Sequence, residues 1–146
     1  MKKRLGNMVL TAVACVSTLA QTSNTSAAAM ANYVSTAAAP DLSISEFFFV
    51  STKSVRVHVV NAGGTASPPC ILRLTVRKIN GVPAGRVTEV KLPPLTPGKD
   101  KWLVLSASGI LPNNVSLAST TFKLNADATS VVPESNEANN EVWHNL

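Results

Sequence analysis

The stretch Phe122-Lys-Leu-Asn-Ala-Asp127-Ala-Thr-Ser-Val131-Val132-Pro133-Glu134-Ser-Asn136-Glu137-Ala-Asn139-Asn140-Glu141-Val-Trp143 holds two patterns in one run. Its first part alternates: Phe122, Leu124 and Ala126 fall on one side, Lys123 and Asn125 on the other. Period two is the spacing of a half-buried β-strand. The middle is dense in Asp, Glu, Ser and Asn, whose short side chains bond nearby backbone groups and suit turns. A short closing strand is expected over Val142 to Leu146. Four of the chain's eight acidic residues, Asp127, Glu134, Glu137 and Glu141, sit in this stretch.

The same alternation recurs upstream. Leu42 and Ile44 alternate with polar neighbours; Val55, Val57 and Val59 oppose Arg56 and His58; Cys70, Leu72, Leu74 and Val76 oppose Arg73, Thr75 and Arg77. Phe47-Phe48-Phe49-Val50 breaks the rhythm, which predicts cover on both faces or a bulge. Asn61-Ala62-Gly63-Gly64 reads as a turn, because glycine accepts positive φ. Ile79 to Gly85 reads as a loop around the turn pair Asn80-Gly81. Arg86 to Leu92 is a charged, two-sided strand suited to a sheet edge. Pro93-Pro94-Leu95-Thr96-Pro97-Gly98 cannot lie in a central strand, since proline lacks the ladder donor. Lys101 to Ser106 and Thr120 to Ala126 supply further strands. About seven short strands, with no amphipathic helix, predict an all-β antiparallel sandwich, with a small barrel as the alternative.

Before this domain lies a different kind of sequence. Lys2-Lys3-Arg4, an apolar run from Leu5 to Ala20, and Ala29-Met30-Ala31 read as a signal peptide over residues 1–31 with an A-x-A cleavage site. The apolar run is shorter than the roughly 20 residues a membrane span needs. Ala12-Val13-Ala14-Cys15 also resembles a lipobox, with Ala12 where Leu is usual; lipidation at Cys15 would tether the protein to a membrane. Residues 32–39 read as an Ala/Ser/Thr-rich linker and residues 40–146 as the folded domain.

The formal charge of +5 is inflated by the leader. Without Lys2, Lys3 and Arg4, ten basic face eight acidic side chains, a net of +2. The bases are spread over several strands rather than gathered on one element, which argues against a nucleic-acid partner. Only Cys70 of the two cysteines lies in the domain, so no internal disulfide is expected and Cys70 reads as a small core residue.

Several quoted motifs occur together and in order: Pro40-Asp41-Leu42, Val57-His-Val-Val-Asn61-Ala-Gly63-Gly64, Leu92-Pro-Pro-Leu95-Thr-Pro97-Gly98, and Asn125-Ala-Asp127 leading to Val132-Pro133-Glu134-Ser135-Asn136-Glu137-Ala138-Asn139-Asn140. This arrangement resembles the CARDB family, the bacterial cell-adhesion-related domains. The resemblance spans residues 40–146 and implies an immunoglobulin-like sandwich, exported, and commonly one repeat of a larger surface protein. Here a single such domain follows the leader.

Chemistry is sparse. No Gly-x-Ser-x-Gly elbow, phosphate loop, dinucleotide fingerprint or His-Glu-x-x-His occurs. His58 and His144 read as sheet residues, and no enzyme activity is expected. Asp127, Glu134 and Glu137, with Asn136, Asn139 or Asn140, offer the hard oxygens Ca²⁺ prefers, though not at EF-hand spacing. The competing reading makes them a hydrogen-bond network holding the last hairpin. The expected function is an exported, periplasmic or cell-surface binding module without a required cofactor, recognising a protein or a cell-surface polymer. A lipid-tethered assembly factor and a Ca²⁺-stabilised carbohydrate-binding module are the alternatives. Phe47 to Phe49 and Trp143 leave self-association open.

Overall fold

The computed structural model describes residues 38–146; the leader, with Cys15 and the A-x-A site, lies outside the described residues. Seven strands form: β1 (Leu42–Ser51), β2 (Ser54–Asn61), β3 (Cys70–Ile79), β4 (Val82–Leu92), β5 (Asp100–Ser106), β6 (Thr120–Asn125) and β7 (Glu141–His144). They make two antiparallel sheets, β1-β2-β5 and β4-β3-β6-β7. The expected all-β, immunoglobulin-like sandwich is therefore what the chain adopts. A 3₁₀ turn, Leu117–Ser119, leads into β6 and is capped by the Ser116 hydroxyl.

The alternating apolar rows meet between the sheets. Leu42 and Ile44 of β1, Val55, Val57 and Val59 of β2 and Leu105 of β5 face Leu72, Leu74 and Val76 of β3, Leu92 of β4, and Phe122 and Leu124 of β6. Val57, Leu74 and Leu124 are fully buried in this one interior. Each such side chain contributes about 1.5–3 kcal/mol by leaving water. Cys70 joins them, as its phase in β3 requires.

The Phe47–Val50 run is resolved by bulges. The β1–β2 register shifts between Ile44 and Glu46 and again between Phe49 and Ser51. Phe47 and Phe49 turn toward Phe122, with ring centroids at 5.7 and 6.1 Å. Phe48 lies on the outer face and is 44% exposed, and Phe49 keeps 37% exposure at the sheet edge.

The loop expected over residues 79–85 is not a loop. Ile79 pairs with Val82, leaving only Asn80 and Gly81 as the turn. Both have positive φ, 52° and 79°, the requirement of a tight two-residue hairpin. Four residues after Gly81, Gly85, at φ 61°, absorbs a register shift, and β4 continues to Leu92. The signal for a turn was local and correct; the glycine and proline beyond it sit in an edge strand, where they are tolerated.

Candidate functional site

Two elements flank the start of β1: the corner after β2 and the closing loop between β6 and β7. Asn61 ends β2 fully buried. Its Oδ1 accepts the N–H groups of Asp41 (3.1 Å) and Gly63 (3.0 Å), and its Nδ2 donates to the carbonyls of Thr65 and Leu95, both at 2.8 Å. All four hydrogen-bonding positions of the amide are filled, which is what permits a polar side chain to sit there.

Gly63 and Gly64 do not use positive φ. They supply space. A Cβ on Gly63 would lie 2.3 Å from the Ala39 carbonyl oxygen and 2.5 Å from the Asp41 nitrogen, and one on Gly64 would lie 2.7 Å from the Ala38 Cβ. The incoming chain thus runs directly across the glycine pair, held by Gly64 N–H to Ala39 O at 3.0 Å and Ala62 N–H to Asp41 O at 2.8 Å.

The closing loop grips the same chain from its own side. Asp127 adopts φ 51° and is buried; its two carboxylate oxygens take the N–H groups of Val131 and Val132 at 3.2 and 2.8 Å. That bond set turns Val132 into the core. Glu134 Oε2 accepts the Leu42 N–H at 2.5 Å. Ser135 N–H donates to Pro40 O at 2.9 Å, and Asn139 Nδ2 to Asp41 Oδ1 at 2.8 Å. Glu137 organises the loop internally: Oε1 takes the Glu134 N–H at 3.0 Å and Oε2 takes Asn140 Nδ2 at 3.3 Å. Asn136 bonds only the Ala138 N–H. Of the three carboxylates singled out from the sequence, that of Glu134 reaches Leu42, that of Glu137 takes the Glu134 backbone N–H, and that of Asp127 turns to Val131 and Val132. Among the described residues no three His, Cys, Asp or Glu side chains gather as a metal cluster.

Burial pushes the Glu134 carboxyl up to about 7; the Leu42 N–H opposes this, and Glu137, Asp127 and Asp41 add to it. Burial also pushes the Cys70 thiol up to about 11, with Asp127 adding to the effect, so the reactive thiolate is scarce at neutral pH.

A third arrangement was not legible from sequence. On the outer face of the three-stranded sheet, Ser45 Oγ lies 2.8 Å from His58 Nδ1, and His58 Nε2 lies 2.8 Å from Asp100 Oδ2. The carboxylate accepts only, so Nε2 carries the proton and Nδ1 accepts from the Ser45 hydroxyl. Three strands are laced together by one ring, which also stacks on Trp102 at 4.3 Å and 10°. The order of groups is that of a nucleophile, base and orienting acid. The surroundings oppose that use: the Glu46 carboxylate is 3.7 Å from Nδ1, placing negative charge beside the point where an oxyanion would develop. Two hollows of the domain lie elsewhere, one around Ile79, Pro83 and Pro112, the other around Cys70, Lys91 and Val131. His144 stacks on Phe122 at 4.9 Å. Phe48 lies under the Arg56 guanidinium, and Trp143 under the Lys123 ammonium on the other sheet, so the exposed aromatics do not form one patch.

The CARDB family model matches residues 39–144. No curated protein matches the chain. Among solved structures, a domain of a protein described as a cell-surface protein from Methanosarcina acetivorans is 19% identical, with a TM-score of 0.54 over 72% of this chain and 88% of that one. The CARDB domain of a Pyrococcus furiosus protein, solved in complex with di-metal ions, is 20% identical, with a TM-score of 0.49 over 72% of this chain and 84% of that one. The archaellum periplasmic stator protein FlaG of Sulfolobus acidocaldarius is 13% identical, with a TM-score of 0.45 over 72% and 99%. The match over nearly the whole described domain, on the two-sheet fold laid out above, means that the chain belongs to the CARDB family.

Proposed function

We propose that this protein is an exported, non-catalytic binding module of the cell envelope or surface, and that it recognises a protein or an extended polymer along a free sheet edge. The observation that carries the reading is β4. It is an edge of the four-stranded sheet, 11 residues long, and pairs only with β3. Pro83 and the Gly85 bulge guard its hairpin end, leaving Arg86–Leu92 as the regular run. Every second residue of an edge strand turns its N–H and C=O away from the neighbour, and an extended partner can add there as a further strand. Val87 is exposed within this run and offers apolar contact beside those groups. By contrast β7 has four residues, and β1 carries two bulges.

The leader pattern supports export, and soluble release after the A-x-A site is the favoured form. Mass spectrometry of the native N-terminus distinguishes it from a diacylated Cys15. The binding reading is tested by capturing partners from the producing cell's envelope and secreted fraction with the full chain, then measuring amide hydrogen exchange in the complex. Slowed exchange along Arg86–Leu92 supports strand addition; capture with no change in β4 rules it out.

A further inference from the structure

The eight acidic side chains divide into two groups. Glu89 and Glu141 each lie within 4 Å of an Arg or Lys nitrogen, and Glu46 and Asp100 lie within 4 Å of the His58 ring. Asp41, Asp127, Glu134 and Glu137 have no such partner among the described residues. The second group belongs to the closing loop and the strand start it grips. Negative charge is thus collected where no basic side chain answers it.

The polar atoms of that region show a matching deficit. Glu134 Oε1, Asn139 Oδ1 and Asn140 Oδ1 are all buried and receive no hydrogen bond. Asn140 is only 5% exposed, and its Nδ2 is fixed on Glu137, which commits the amide's orientation and leaves its oxygen inside. Asn139 is committed in the same way by its bond to Asp41. A fourth oxygen of this kind, Asn125 Oδ1, belongs to the neighbouring Glu141 pair on β6 and β7. An ionised carboxylate oxygen and an amide oxygen are acceptors only. Leaving each buried and unmet is unfavourable, because its desolvation is not repaid. Two of the three atoms hang from one bonded lattice, in which Leu42 N–H holds Glu134, Glu134 N–H holds Glu137, and Glu137 holds Asn140, while Asn139 is tied to Asp41, the residue before Leu42.

We propose that Glu134 Oε1, with the side-chain oxygens of Asn139 and Asn140, binds a hard divalent cation of the calcium class in the closing loop. A cation answers every acceptor at once and supplies the missing positive charge. Six to eight oxygen ligands at flexible distances are what Ca²⁺ takes, and amide and backbone carbonyls are among its usual donors. With one direct carboxylate the affinity falls in the weak range of extracellular sites, Kd about 1 mM. The site ties the loop to β1 and is independent of any partner on β4, so either reading can fail without the other.

The test is a thermal melt of the full chain in chelator and in about 10 mM CaCl₂, matched for ionic strength with NaCl, together with equilibrium dialysis of Ca²⁺. Binding at the stated affinity raises Tm by about 5 °C. Glu134→Gln keeps an acceptor for the Leu42 N–H and removes the charge; it should melt in chelator at or above the wild type and gain nothing from Ca²⁺. Asn139→Ala, as a second variant, should bind Ca²⁺ about tenfold more weakly in dialysis. No Tm gain and no bound Ca²⁺ in the wild type, or an equal gain in Glu134→Gln, overturns the site and leaves ordered water as the donor to these oxygens.

Discussion

The Glu134 carboxylate accepts the backbone N–H of Leu42 at 2.5 Å, across 92 positions of sequence. This one bond joins the closing loop, which belongs to the four-stranded sheet, to the first residue of β1 in the other sheet. Asn61 secures the adjacent backbone from the opposite side through Asp41 N–H. The entry of the chain into the sandwich is therefore clamped twice.

The Asn61 clamp should dominate the energetics of this corner. Asn61→Ala removes four hydrogen bonds and strands two N–H donors and two carbonyls. Even at the modest net worth of each bond, the loss should be about 3 kcal/mol or more. Urea unfolding should show a lower midpoint with an unchanged slope.

Glycines separate by cause. Gly63→Ala drives a methyl group into the Ala39 and Asp41 backbone, which cannot swing away as a side chain could. A cost of about 1–3 kcal/mol is expected, in line with overpacking. Gly109 has nothing within 4 Å of a built Cβ and no positive φ. Gly109→Ala should be neutral or stabilise by up to about 1 kcal/mol through the unfolded chain. Equal losses at both sites would mean that the chain does not cross Gly63.

The Glu134 carboxyl imposes a pH dependence whose sign is fixed by its direction. Its folded pKa, about 7, lies above the ordinary value of 4.5. Between those values the unfolded chain has given up the proton and the folded chain retains it. The folded state binds more protons there, so stability falls as pH rises through this window and levels off above it. Denaturation in chelator from pH 4.5 to 8 should show that decline in the wild type, and Glu134→Gln should remove this component.

His58 is expected to act as a lace between strands. His58→Ala should cost about 1–2 kcal/mol from the lost Asp100 bond and the lost Trp102 stacking. Ester hydrolysis by the full chain should be the same for the wild type and Ser45→Ala. A clear drop in turnover for Ser45→Ala would make the Ser45–His58–Asp100 line catalytic.

Period-two patterning located the core face and most of the strand residues, because alternation reports which side of a strand is dry; it missed the Val82–Gly85 start of β4, where glycine and proline read as a loop. It carries no information on which strands are neighbours. His58 could be assigned to an outer face, but not to Ser45 and Asp100, since those contacts depend on the order β1-β2-β5. The same limit hid the Leu95 partner of Asn61 and the Leu42 partner of Glu134, which lie 34 and 92 positions away. Gly63-Gly64 was visible as a break, yet its purpose is clearance for a distant segment rather than a special dihedral. Asp127, Glu134 and Glu137 stood out by composition alone. Their separation into a local cap and a long-range clamp follows from where β1 begins, which no local pattern encodes.

The clamp itself is tested most directly at the Leu42 amide. In native-state hydrogen exchange followed by nuclear magnetic resonance, Leu42 in the wild type should exchange as slowly as the buried β2 amides. In Glu134→Ala it should exchange at least about tenfold faster, the loss of more than about 1.4 kcal/mol of local protection, while the Val57 amide stays slow relative to it. Rapid exchange of Leu42 in the wild type, or no difference between the two chains, would show that the closing loop does not hold the first strand.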